Sequence, residues 1–247
     1  RTADIKAALR SPRMLAMATL TAVLITINWG IYVWAIGAGR AIETALGYYI
    51  NPLFSIFLGA VLLKEKLDRA QMVAIALAAC AVAILALDAG GLPWVSIGLC
   101  FSWGFYAFFR KTLPIGPNQG FFLEVLLLSV PALGYILWLE SSGQGHFGDT
   151  GMADVLWLLA CGIVTAIPLM IYANGAKLLR LSTIGIMQYI APTMIFVIAV
   201  FVFGEPFGTA KLIAFAFIWA ALFLYSGSML RTARARRLAA AELKPAE

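Results

Sequence analysis

The 247-residue chain is 62% hydrophobic and only 12% charged, with a mean hydropathy of +0.92 and a formal net charge of +6. A soluble domain carries about twice that charged fraction, and the apolar runs are too long and unbroken for the alternating strands of a transmembrane barrel, so an all-α polytopic membrane protein is expected. The positive charge reads as a determinant of membrane orientation, which excludes the need for a nucleic-acid partner.

Residues 1–13 hold four basic residues, one acid and no apolar run, and form neither a signal peptide nor a complete first element. With Arg at position 1, the expectation is a chain cut from something longer. Eight apolar segments follow: Met14–Gly37, Ala45–Leu63, Ala70–Leu87, Leu92–Phe109, Phe121–Leu139, Val155–Ala176, Thr183–Phe203 and Leu212–Leu230. Asp88-Ala-Gly-Gly makes a tight turn between the third and fourth. The longest loop, Glu140 to Asp154, is rich in Gly and Ser and lacks a basic residue. With eight spans, 16 of the Lys and Arg residues fall on the side of the N-terminus and only Arg40 and Lys211 on the other. That bias predicts both ends of this chain in the cytoplasm, with the tail Arg231-Thr-Ala-Arg-Ala-Arg-Arg as a basic anchor. Cys80, Cys100 and Cys161 lie inside apolar runs and read as small core residues. His146 is the single histidine, so no His-based metal site can be assembled and no cofactor is expected.

An offset of 140 residues aligns the second segment with the seventh without a gap. Tyr49-Ile50 then meets Tyr189-Ile190, Pro52 meets Pro192, and Glu65 meets Glu205. The same offset pairs Ile31-Tyr32 with Ile171-Tyr172 and Arg40 with Arg180. Segments one to three thus correspond to six to eight, and the repeated unit has five helices. An odd number of spans per unit inverts alternate units, an organisation common among secondary transporters. The expected division is residues 1–90 as the last three helices of one unit, 91–231 as a complete second unit, and 232–247 as a basic tail. A parent of ten helices, its first two absent here, follows as an expectation.

Thr44, Tyr48, Asn51 and Ser55 form a polar stripe along segment two, as expected of a helix lining a wet cavity. Asn28 and Tyr32 lie one turn apart on segment one, and Tyr172 is the repeat mate of Tyr32. Gln188 and Tyr189 match Tyr48 and Tyr49, and Tyr106 lies inside segment four. These eight residues, Asn28, Tyr32, Tyr48, Asn51, Tyr106, Tyr172, Gln188 and Tyr189, are the candidate substrate cavity. Pro52 and Pro192 are candidate hinges, tolerated kinks being the plainer alternative. Segments three and eight have almost no interior polar groups and are expected at the lipid-facing periphery. Glu124 is the one acid well inside an apolar segment. It is a candidate for proton coupling or cation binding, and an ion pair with Arg110 or Lys111 is the commoner case. Glu65 and Glu205 are expected as caps or loop partners, Trp94 and Trp157 as interfacial anchors.

Gly47-Tyr-Tyr-Ile-Asn-Pro-Leu53, Phe105-Tyr106 with Arg110-Lys111, Arg180-Leu-Ser-Thr183, Gln188-Tyr-Ile190 with Pro192-Thr193, and Phe215-Ala-Phe-Ile-Trp219 together resemble RarD-type permeases. These form part of the EamA branch of the drug/metabolite transporter superfamily. The resemblance implies two inverted five-helix units around a central cavity in the bacterial inner membrane. The sequence departs from the pattern at Lys64 and Ala191, where glycine is expected.

The leading expectation is a secondary permease for a small organic solute, driven by a proton or solute gradient, since no Gly-rich loop with Lys is present to bind ATP. An enzyme acting on lipids or isoprenoids would need clustered acids or a His–acid pair, and Glu124 stands alone. A non-transporting membrane regulator is the third reading. Membrane lipid is an expected partner; substrate identity and oligomeric state are not encoded in any motif.

Overall fold

The computed structural model describes residues 9–62, 64, 67–88, 91–112, 116–145, 151–175 and 189–242. Among them the regular structure is α-helical: α1 Pro12–Gly37, α2 Ala41–Leu62, α3 Arg69–Asp88, α4 Trp94–Thr112, α5 Pro117–Ser141, α6 Met152–Gly175, α7 Ile190–Phe201 and α8 Thr209–Glu242. Each overlaps one expected segment. Five of them, α1, α2, α3, α5 and α8, contain stretches long and apolar enough to cross a membrane.

The helix ends follow from local chemistry. Gly39 and Gly143 adopt left-handed backbone, with φ of +67° and +69°. At each the next residue reaches five residues back, Arg40 N–H to Ala35 O and Gln144 N–H to Leu139 O, while the glycine itself bonds three back. This is the Schellman closure, and it satisfies carbonyls that a helix end otherwise leaves bare. α5 opens with Pro117 directly after its cap residue Gly116, where a missing N–H costs nothing. α3 opens with a reciprocal box: Gln71 N–H donates to Asp68 Oδ1 at 2.7 Å, and Asp68 N–H donates to Gln71 Oε1 at 3.0 Å.

The chain divides into two compact units that interleave in sequence, residues 1–23 with 109–180, and residues 24–108 with 181–247. In the first, Ala18 of α1 and Leu123 of α5 are fully buried, with Met14, Leu15 and Leu127 against them. In the second, α2 holds the centre, burying Ile42, Leu46, Tyr49 and Leu53. α3 and α8 pack along each other. Ala74, Ala78 and Ala81 on one, and Ala214, Ile218 and Ala221 on the other, join the same core.

The two helices pack on each other while apolar side chains such as Met72, Leu87, Leu212 and Phe223 stay exposed. Both present alanine-rich rows at helical spacing, and small side chains let helices approach closely without any polar group.

Glu205 ties the loop before α8 to the start of α2. Its Oε1 accepts Ala41 N–H at 2.5 Å and its Oε2 accepts Ile42 N–H at 2.9 Å. A buried carboxylate on bare N-terminal amides is stabilised by hydrogen bonds and by the helix dipole together. Its expected role as a cap is what the structure shows; Glu65 lies outside the described residues. Immediately before these two glutamates, Lys64 has φ +55° and Gly204 φ +64°. These positions are 140 residues apart.

The two prolines are placed differently. Pro52 lies inside α2, which runs on unbroken to Leu62. Pro192 falls in the first turn of the described α7, where an N–H would have no intrahelical partner anyway. The residues that precede it, 181–188, lie outside the described set.

Candidate functional site

In the second unit a polar knot joins three helices. Asn28 of α1 is fully buried. Its Nδ2 donates to Leu99 O at 3.1 Å and to Ser102 Oγ at 2.9 Å, both on α4. Its Oδ1 accepts from the Tyr48 hydroxyl of α2 at 3.0 Å. A carbonyl can only accept, so Leu99 O fixes which end of the amide faces α4. Ser102 passes its own hydrogen to Gly98 O at 2.6 Å.

Around this knot the rings form a continuous row. Trp29 meets Tyr32 at 6.4 Å, Tyr32 meets Tyr48 at 5.9 Å, Tyr48 meets Trp103 edge-on at 6.3 Å, and Trp103 meets Tyr106 at 5.7 Å. Asn28, Tyr32, Tyr48 and Tyr106, named from sequence as cavity residues, are therefore brought together. The approach of α2 to α4 depends on Gly47, where a Cβ would sit 2.8 Å from Ser96 O. Ser96 completes the contact by donating to Glu43 O at 2.7 Å.

The rest of the expected stripe divides. The hydroxyls of Thr44 and Ser55 turn back to their own helix, onto Ala41 O and Asn51 O. Each spends its single hydrogen there and keeps its acceptor lone pairs. Asn51 is different: it is buried, and among the described residues its Oδ1 has no hydrogen-bond partner.

Tyr189 belongs to another place in the same unit. Its ring stacks on Tyr49 at 6.5 Å with an 18° interplanar angle. The Tyr49 hydroxyl meets Thr193 Oγ at 2.6 Å, and Phe215 stands edge-on to Tyr49 at 5.8 Å. Beside this cluster lies a cavity of about 440 Å³ lined by Tyr49, Tyr189, Thr193 and, from α8, Trp219, Leu222, Phe223 and Ser226. Gln188 and the side chain of Tyr172 lie outside the described residues.

In the first unit Arg110 Nε lies 3.3 Å from Glu124 Oε1, and Glu124 is 3% exposed. The ion pair expected at this acid is present. Gly120 makes room for it, because a Cβ there would fall 2.1 Å from an Arg110 guanidinium nitrogen. At the far end of α1, Arg40 lies over Trp34 and Trp94, 5.8 and 5.4 Å from the ring centres, and pairs with Glu43.

Sequence reasoning missed Ser102, Tyr49, Thr193 and Trp219. The repeat register offered a signal for Tyr49, the exact mate of Tyr189. Trp219 lies in a run that carries the family resemblance, but an aromatic on an apolar helix reads as lipid-facing by pattern alone.

Apolar helices of membrane length with hydrogen-bonded polar groups buried among them define a multi-pass membrane protein. Residues 3–87 and 91–227 match the EamA-like transporter family, and the chain belongs to that family, among its RarD-type permeases. It is 42% identical to Protein RarD of Streptomyces exfoliatus over 94% of this chain and 74% of the relative. It is 43% identical to the uncharacterized transporter YojE of Bacillus subtilis, over 88% and 72%. Protein RarD of Escherichia coli is 38% identical over 93% and 78%. No solved structure matches the chain. A membrane transporter is the function these relationships support.

Proposed function

We propose that the chain is part of a secondary-active permease of the bacterial inner membrane, moving a small organic solute by alternating access between two inverted repeats, residues 1–90 and 91–231. The 140-residue register, with Lys64 and Gly204 sharing one backbone conformation, supports the repeat. The distribution of Lys and Arg supports cytoplasmic placement of both ends. Pro52 and Pro192 are the proposed flexing points, and a proton or solute gradient supplies the energy.

The observation that carries the reading is on α2. A membrane-length helix there buries Asn51 with a carbonyl acceptor unpaired among the described residues, one turn from Tyr48 in the Asn28 knot. In an apolar medium such an acceptor is costly unless something donates to it. A solute carrying N–H or O–H groups supplies that donor as it passes. Glu124, held by Arg110, serves this reading as a structural pair.

The test is uptake into proteoliposomes under an imposed proton gradient, across a panel of amino acids, nucleosides and antibiotics. Asn51→Leu and Tyr48→Phe are expected to lower the flux of the transported solute at least tenfold with normal membrane insertion. Unchanged flux in both variants removes this face of α2 from the solute path, and no gradient-driven flux of any solute overturns the transporter reading.

A further inference from the structure

The cavity beside Tyr49 and Tyr189 is separate from the Asn28 knot, because Tyr48 and Tyr49 leave α2 in directions about 100° apart. From its walls the geometry points to a second binding site, for an uncharged aromatic ligand that carries a hydrogen-bond acceptor. The inference concerns binding alone and stands independently of the proposed transport cycle.

The hydroxyl hydrogens decide the polar requirement. Thr193 donates to Tyr189 O at 2.6 Å, four residues back. A threonine hydroxyl has one hydrogen, so in the 2.6 Å contact with Tyr49 the tyrosine is the donor. Both of those hydrogens are thereby used. The Tyr189 hydroxyl is buried and makes no hydrogen bond among the described residues. It is a donor kept out of water with nothing to receive its hydrogen, a state that a ligand acceptor relieves.

The remaining wall sets the ligand's body. Tyr49, Tyr189 and Trp219 present ring surface, and Leu222 and Phe223 present hydrocarbon. Stacked and edge-on contacts favour a flat ring system over a flexible chain. The volume of about 440 Å³ falls in the range that small organic ligands occupy. Among the described residues that line it, none is charged. An amino acid zwitterion or an organic cation would lose its hydration there and gain no counter-charge. The site therefore selects neutral molecules.

Benzophenone tests this directly, being a neutral diaryl ketone that cross-links on illumination. Membranes containing the whole chain are labelled over a range of concentrations and the modified peptides are identified by mass spectrometry. The expected result is saturable labelling between Tyr189 and Thr193 and between Trp219 and Ser226, displaced by 2-acetylnaphthalene and not by the anion naphthalene-2-sulfonate. Tyr189→Phe keeps the ring and loses the donor, and should raise the half-saturating concentration about threefold to tenfold. Ser226→Trp fills the cavity and should abolish saturable labelling. Labelling that rises linearly and spreads over exposed apolar residues away from the cavity, such as Val130, Val164 and Phe201, would mean that lipid chains occupy the groove, and the proposal falls. Equal displacement by the sulfonate overturns the neutral selectivity, and an unchanged Tyr189→Phe variant overturns the role of the hydroxyl.

Discussion

A Cβ at Gly120 would enter the volume that the Arg110 guanidinium takes beside Glu124, so the arginine must shift to admit any larger residue. Gly120→Ala should therefore disturb the pair, and Arg110→Met, which deletes the charge opposite a buried carboxylate, should lower stability by about 3 kcal/mol. The double replacement Arg110→Met with Glu124→Leu should recover most of that loss, since hydrophobic pairs of similar volume replace buried ion pairs well. Unfolding midpoints in detergent for the three variants check this. Lys64 is the opposite case, a residue whose backbone asks for less side chain. Its φ of +55° is shared by Gly204 at the repeat-related position, and a left-handed residue with a Cβ costs about 1–2 kcal/mol. Lys64→Gly should raise stability by about 1 kcal/mol, partly offset by the greater freedom of glycine in the unfolded chain. A lower midpoint in that variant would show that the lysine side chain contributes more than its backbone costs.

At the scale of elements, caps join helices distant in sequence. Asp68 closes the capping box of α3 and also accepts a short hydrogen bond from Ser228 of α8. The Ser228 hydroxyl first, and the Gln71 backbone N–H second, hold the Asp68 carboxyl below its ordinary range. A carboxyl with a lowered folded pKa contributes stability above its unfolded value of about 3.9 and loses it as pH falls through the folded value. The melting difference between the natural chain and Asp68→Asn should accordingly be constant from pH 7 to about 5 and close below about pH 4. A difference that did not shrink as pH fell below about 4 would place the contribution elsewhere. The eight helices were legible in the sequence because hydropathy alone bounds a membrane helix. Glu205 was legible as a cap, but not its partner, because no local pattern links it to amides 164 residues away. Asn28, Tyr32, Tyr48 and Tyr106 were legible as polar or aromatic groups on apolar helices. The cavity by Tyr49 was not, because its α8 wall is built from Trp219, Leu222 and Phe223, which pattern identically whether they meet a ligand, a neighbouring helix or lipid.

Across the whole molecule, alternation of spans and the count of basic residues make a single topological statement. Two contacts in the second unit support it: Glu205 with the start of α2, and Asp68 with Ser228, each join residues assigned to one side by charge. The assignment puts Ala38 and Ser142 outside the cell and Asn118 inside, and all three are exposed on short connections or helix ends. Single cysteines at these positions, in a chain whose Cys80, Cys100 and Cys161 are first changed to alanine, can be probed with a membrane-impermeant maleimide on intact cells. Ala38→Cys and Ser142→Cys should react from outside, and Asn118→Cys only after the membrane is opened. Reaction of Ala38→Cys without Ser142→Cys would mean that an odd number of the spans between them crosses the membrane, which breaks the eight-span count. Reversal of all three would leave the count intact and invert the orientation, so each part of the statement fails on its own measurement.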